Sequence, residues 1–118
     1  MSSIESKSLS TPDETRTPDK SVIEIVRVGG AEVGRFTFQP GWRWSECIKP
    51  LVGTDTCQAE HLGYVVSGRL GLTHSDGTKT EAGAGDAYHI LPGHDAWVIG
   101  DEPFVGVEFK SAASYAKS

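Results

Sequence analysis

The sequence predicts an all-β domain, folded as a small sandwich, jelly roll or barrel. Short runs of β-branched and aromatic residues recur between positions 22 and 109, at a spacing of about ten residues. Fourteen glycines and six prolines punctuate the chain, and those between the runs mark turns. Nothing in that region carries apolar residues at helical spacing over the length of a long helix. At 118 residues, with 37% apolar and 23% charged, the chain suits one soluble domain around one core.

Val22–Val28 is rich in β-branched residues and ends at Gly29-Gly30, a turn signal. Ala31–Phe38 alternates loosely and stops at Pro40-Gly41; Trp42-Arg43-Trp44 alternates large and charged side chains. Gly63–Ser67 is a strand closed by Gly68, and Leu70–His74 leads into Ser75-Asp76-Gly77. Asp-Gly between two β runs signals a hairpin, so Thr78–Glu81 is its returning strand. Gly83-Ala84-Gly85-Asp86 turns again, Ala87–Leu91 runs into Pro92-Gly93, Trp97–Ile99 precedes Gly100, and Phe104–Phe109 closes the domain. Eight or nine strands result.

Outside 21–110 the composition changes. Residues 1–20 hold almost nothing apolar, which predicts a disordered N-terminal tail. Residues 111–118 form a short C-terminal tail in which Ala112, Ala113 and Ala116 favour a helical turn. A net charge of -5 and no basic stripe argue against a nucleic-acid partner. No apolar stretch reaches the length of a membrane span or signal-peptide core, so the expectation is a cytoplasmic protein with no membrane partner. Cys47 and Cys57 are then expected as free thiols.

Two segments resemble the paired motifs of the cupin superfamily. Gly68, in Tyr64-Val65-Val66-Ser67-Gly68, fits the final Gly of the first motif. Gly85, five residues, then Leu91-Pro92-Gly93 fits the second motif, with Leu91 where that family has its first Pro. Trp42–Glu46 and Gly93–Trp97 also resemble small single-domain bacterial cupins. The resemblance implies a small cupin-type jelly-roll barrel over 21–110, a lumen that takes a small-molecule ligand or a divalent metal, and a homodimer with Val22–Val28 as the exchanged or paired edge strand. It also implies degenerate metal motifs. Counting back from Gly68, His61 falls on the family's Glu, Cys57 and Asp55 on its two His positions, and Ala96 on the second motif's ligand His.

Asp55, Cys57, His61 and His94 are therefore the candidate metal ligands. Asp, Cys and His all coordinate metals. Asp55, Cys57 and His61 share one parity, and one extended strand carrying them would face all three the same way. A strand would also set Cys57 and His61 roughly 13 Å apart, too far for direct contact. With Cys57 as a ligand zinc is favoured; without it, iron or manganese. Each residue has an alternative role: Cys57 as a small buried side chain, Asp55 and His94 as turn residues, and His61 as a lumen hydrogen-bonding group. Trp42, Trp44, Tyr64, Tyr88 and Trp97 either fill the core or line a ligand site.

Neither a nucleophile elbow nor a phosphate-cradling or dinucleotide-binding glycine motif is present. Three functions stay open: a small-molecule-binding domain with a non-standard metal site, a metal-dependent enzyme of dioxygenase, isomerase or cyclase type, and a non-catalytic structural or interaction domain.

Overall fold

A computed structural model describes residues 3–110. Its elements are β1 (Glu14–Arg16), β2 (Ser21–Val28), β3 (Ala31–Phe38), α1 (Trp44–Cys47), α2 (Lys49–Val52), β4 (His61–Ser67), β5 (Arg69–His74), β6 (Lys79–Gly83), β7 (Ala87–Ile90), β8 (His94–Val98) and β9 (Phe104–Lys110). Two sheets form, with orders β1-β2-β3-β9-β4-β7 and β6-β5-β8. Every pairing between these strands is antiparallel.

Strand alternation builds the core. Ile23 and Ile25 of β2, Phe36 and Phe38 of β3, Val65 of β4 and Phe104 of β9 point inward from the larger sheet. Leu70, Leu72, Ala82, Ala96 and Val98 meet them from the smaller one. Trp42 enters between the sheets and stacks on Phe38, with ring centroids 3.8 Å apart and planes 2° from parallel. Burying each of the Ile, Leu, Val and Phe side chains among them stabilises the fold by roughly 1.5–3 kcal/mol. At the β2–β3 hairpin Gly29 and Gly30 take φ of 58° and 77°, the backbone that a two-residue hairpin turn requires.

Three expectations change. Residues 14–16, expected within a disordered tail, form β1 and pair with Ile23–Ile25. Polar contacts hold them there: Glu14 accepts from Arg16 and Arg27, both at 2.7 Å, and Asp13 accepts the Arg27 N–H at 2.7 Å. Val22–Val28 is consequently no edge strand, because β1 covers it. Trp42-Arg43-Trp44 is not a strand run either, since Trp44 opens α1. The Trp42 carbonyl accepts from Val98 N–H and Arg43 bridges to Trp97, so this loop caps the outer edge of β8. The C-terminal tail expected over 111–118 lies outside the described residues.

The opposite edges stay apart: β6 ends the smaller sheet and β7 the larger. Between them lies a groove of about 530 Å³, lined by Thr80, Glu81 and Ala82 on one side and Ala87, Tyr88 and His89 on the other.

Candidate metal centre

Cys57 stands in the loop after α2. Its N–H donates to the His94 carbonyl at 2.8 Å, and its carbonyl accepts from Gly93 N–H at 2.7 Å. This bridge fixes the loop against the start of β8. The chain then bends, and His61 opens β4 opposite Ile90. The bend overturns the extended-strand expectation for 55–61: Cys57 Sγ lies 3.6 Å from His61 Nε2. His94 completes the group, its ring centroid 4.9 Å from that of His61. One donor atom from each of Cys57, His61 and His94 lies within 4.8 Å of the others. All three residues are at most 4% exposed.

Each imidazole is oriented through its other nitrogen. His61 Nδ1–H donates to Glu108 Oε1 at 2.7 Å, and His94 Nδ1–H donates to the Leu91 carbonyl at 2.8 Å. In the neutral form of either ring, Nε2 then carries the lone pair. Glu108, on β9 and 5% exposed, also accepts from the Tyr88 hydroxyl at 2.6 Å. Carboxylate- or carbonyl-tethered histidines of this kind are the usual support of a metal ligand.

The electrostatics favour a thiolate. Burial works against the charged sulfur, yet hydrogen bonds from His61 and His94 outweigh it and bring Cys57 down from 9.0 to about 6. Burial likewise opposes a charged His61, but Glu108 and Cys57 outweigh it and raise the imidazole from 6.5 to about 10. Both shifts run in the direction of a thiolate on Cys57 and an imidazolium on His61.

The donor set fits a metal. Ligands about 2.0–2.3 Å from a tetrahedral ion stand about 3.3–3.8 Å from one another, and the Cys57–His61 separation of 3.6 Å already falls there. A void of about 20 Å³ adjoins the two histidines, lined also by Trp42, Trp44, Ala96 and Glu108. It has room for about one water-sized occupant. The indole N–H of Trp42 is buried and has no acceptor among the described residues, so a small polar occupant would complete its bonding.

The other expected site residues do not join the donor group. Asp55 is fully exposed, 3.6 Å from Lys49, because the loop turns it outward. Trp42 and Trp44 are core, each 2% exposed. Tyr64 faces outward from β4 at 46% exposure. Trp97 lies on the outer face of β8 under Arg43, whose guanidinium sits 4.7 Å from the ring centroid. Tyr88 serves Glu108. The five aromatic residues therefore do not line one site together, and among the described residues the void beside the two histidines measures about 20 Å³. Glu108 is the residue the sequence reading missed. Its signal was parity: Phe104, Gly106 and Glu108 share one face of β9, and a carboxylate on an inward face is the informative exception.

No protein-family model and no curated protein matches the chain. Solved structures do. A Rhizobium leguminosarum protein of unknown function superposes with a TM-score of 0.64 at 18% identity, over 93% of this chain and all of that one. An uncharacterized Klebsiella pneumoniae protein with a double-stranded β-helix domain gives 0.58 at 19%, over 98% of this chain and 94% of that one. A Bacillus subtilis oxalate decarboxylase gives 0.57 at 24%, covering 87% of this chain but 29% of its own. This chain has a cupin-type fold. At these identities the likeness extends to architecture alone. Ala96 lines the lumen void, and His94 lies two residues earlier on the same inward face of β8.

No helix among the described residues is long and apolar enough to cross a membrane.

Proposed function

We propose that this domain holds one divalent transition-metal ion on Cys57 Sγ and on Nε2 of His61 and His94, and presents it to a small molecule entering by the groove between β6 and β7. The carrying observation is the convergence of three buried donors whose two imidazoles are both tethered through Nδ1. A thiolate with two imidazoles favours zinc over iron or manganese. Three protein ligands leave a position for an outside ligand, the pattern of reactive rather than purely structural zinc. Bound there, zinc would supply Lewis acidity toward a donor atom of that molecule.

His94, Leu72 and Ile90 line both the lumen void and the 530 Å³ groove. They border both a site with room for an ion and one with room for an organic molecule. This geometry supports the groove, not the lumen, as the place where the small molecule sits. Cys57 and the histidines bind and orient; the aromatic lumen excludes bulk water. The same arrangement suits a binding domain or an enzyme, and turnover is the property that divides them.

The test is elemental analysis of protein purified without added metal, followed by zinc titration against a chromophoric chelator. The expected result is about one equivalent of zinc for the wild type and none retained by His61→Ala or His94→Ala. A folded wild type that takes up no stoichiometric metal overturns the proposal.

A further inference from the structure

β4 and β9 each place a glycine where an inward side chain belongs, Gly63 and Gly106. A glycine inside a strand gives up packing and ordering free energy, and it commonly marks a close approach by another group. Here one side chain, Tyr88, approaches both glycines, beside the Val107 carbonyl at Gly63 and the Phe104 ring at Gly106. A Cβ added at Gly63 would lie 2.8 Å from both Cζ and the hydroxyl oxygen of Tyr88, and 2.7 Å from the Val107 carbonyl. A Cβ at Gly106 would lie 3.0 Å from the same hydroxyl and 2.8 Å from Phe104 Cζ.

The register explains the geometry. Tyr88 of β7 pairs with Gly63 of β4, and Gly63 pairs with Glu108 of β9. The three residues share one rung across three strands, so Tyr88 and Glu108 are two strand spacings apart, roughly 9.6 Å. With no side chain on the central strand, the tyrosine ring lies across it. Its hydroxyl reaches Glu108 Oε2 at 2.6 Å, while Oε1 accepts from His61 Nδ1–H at 2.7 Å.

We propose that Tyr88 and Glu108 are positioning residues for the metal centre, with Gly63 and Gly106 forming the slot that lets Tyr88 hold the Glu108 carboxylate and, through it, aim His61 Nε2 at the ion. This inference rests on the metal reading above. A buried Tyr–Glu–His chain is a poor device for stability alone, since well-packed apolar residues of similar volume usually serve as well or better. Its use is orientation. Of the two imidazoles, His61 is tethered by a side chain and His94 by a backbone carbonyl, so the aim of His61 depends on how firmly that carboxylate is held.

The experiment measures zinc affinity by chelator competition for the wild type, Tyr88→Phe and Glu108→Gln. Cobalt-substituted spectra report the ligand set, and circular dichroism of the metal-free forms controls for folding. Glu108→Gln should weaken zinc binding about 10–100-fold. Tyr88→Phe removes one hydroxyl and keeps the ring, and should weaken binding several-fold. Both should keep the thiolate-to-cobalt charge-transfer band, because Cys57 is untouched. A residue that only supported the fold would lower the melting temperature and leave the affinity of the folded protein unchanged. Affinities within twofold of the wild type for both variants overturn the inference and leave the metal reading standing. A wild type that binds no zinc overturns both. Should Glu108→Gln fail to fold, Tyr88→Phe decides alone.

Discussion

Replacing His61 by alanine in the metal-free protein tests the buried pair at the centre of the site. His61 and Glu108 are 4% and 5% exposed and 2.7 Å apart, and the imidazole, raised to about 10, is charged at neutral pH. His61→Ala therefore leaves the Glu108 carboxylate buried without that countercharge. Removing one partner of a buried ion pair costs about 3–5 kcal/mol. For a domain of this size that lowers Tm by about 12 °C or more. Urea denaturation in the presence of a chelator, fitted as a two-state transition, measures the loss. The pH dependence has a definite sign. A histidine raised by its partner contributes fully below its unfolded value near 6.5, and that contribution fades as pH rises through about 10. The gap between wild type and variant should narrow accordingly at high pH. In the Glu108→Gln background, where the buried acceptor is neutral, His61→Ala should cost less by about 1–3 kcal/mol. A single-variant loss below about 1 kcal/mol, or additive behaviour of the double variant, would refute the reasoning.

Metal affinity should rise with pH, because the ligands bind deprotonated. His61 and Cys57 together release one proton per ion between about 6 and about 10, and two below about 6; a pH-independent binding constant from chelator competition would contradict these assignments. Gly63→Ala should destabilise the domain by about 1–3 kcal/mol, since its Cβ would meet the fixed Val107 carbonyl at 2.7 Å; an unchanged urea midpoint would show that the slot is looser than described. Asp55→Ala should leave zinc affinity unaltered, because Asp55 is fully exposed beside Lys49; a tenfold loss would place Asp55 back among the ligands.

Much of the architecture was legible because it is written locally. Ser21–Val28 and Ala31–Phe38 carry their strand character in β-branched and aromatic residues and their hairpin in Gly29-Gly30. β1 was not legible, because its pairing rests on Glu14, Arg16 and Arg27 meeting across strands, and composition reads such residues as solvated. Trp44 entered a helical turn because tertiary burial outweighed the alternation around Arg43. Cys57, His61 and His94 converge, yet 55–61 is not the single extended strand that would face Asp55, Cys57 and His61 the same way. The bend at 57–61 is set by the bridge from Cys57 to His94, a contact 37 residues away that no local pattern encodes. Glu108 and Gly106 were visible as residues, but their meaning depends on the rung they share with Gly63 and Tyr88.

The most direct test of the central claim is the absorption spectrum of the cobalt-substituted protein, titrated to saturation and repeated for Cys57→Ala. Saturation is expected at about one equivalent, with a near-ultraviolet thiolate-to-cobalt band and intense tetrahedral ligand-field bands; the first should vanish in Cys57→Ala. A wild type that shows neither band, or a thiolate band that survives the loss of Cys57, would contradict that claim.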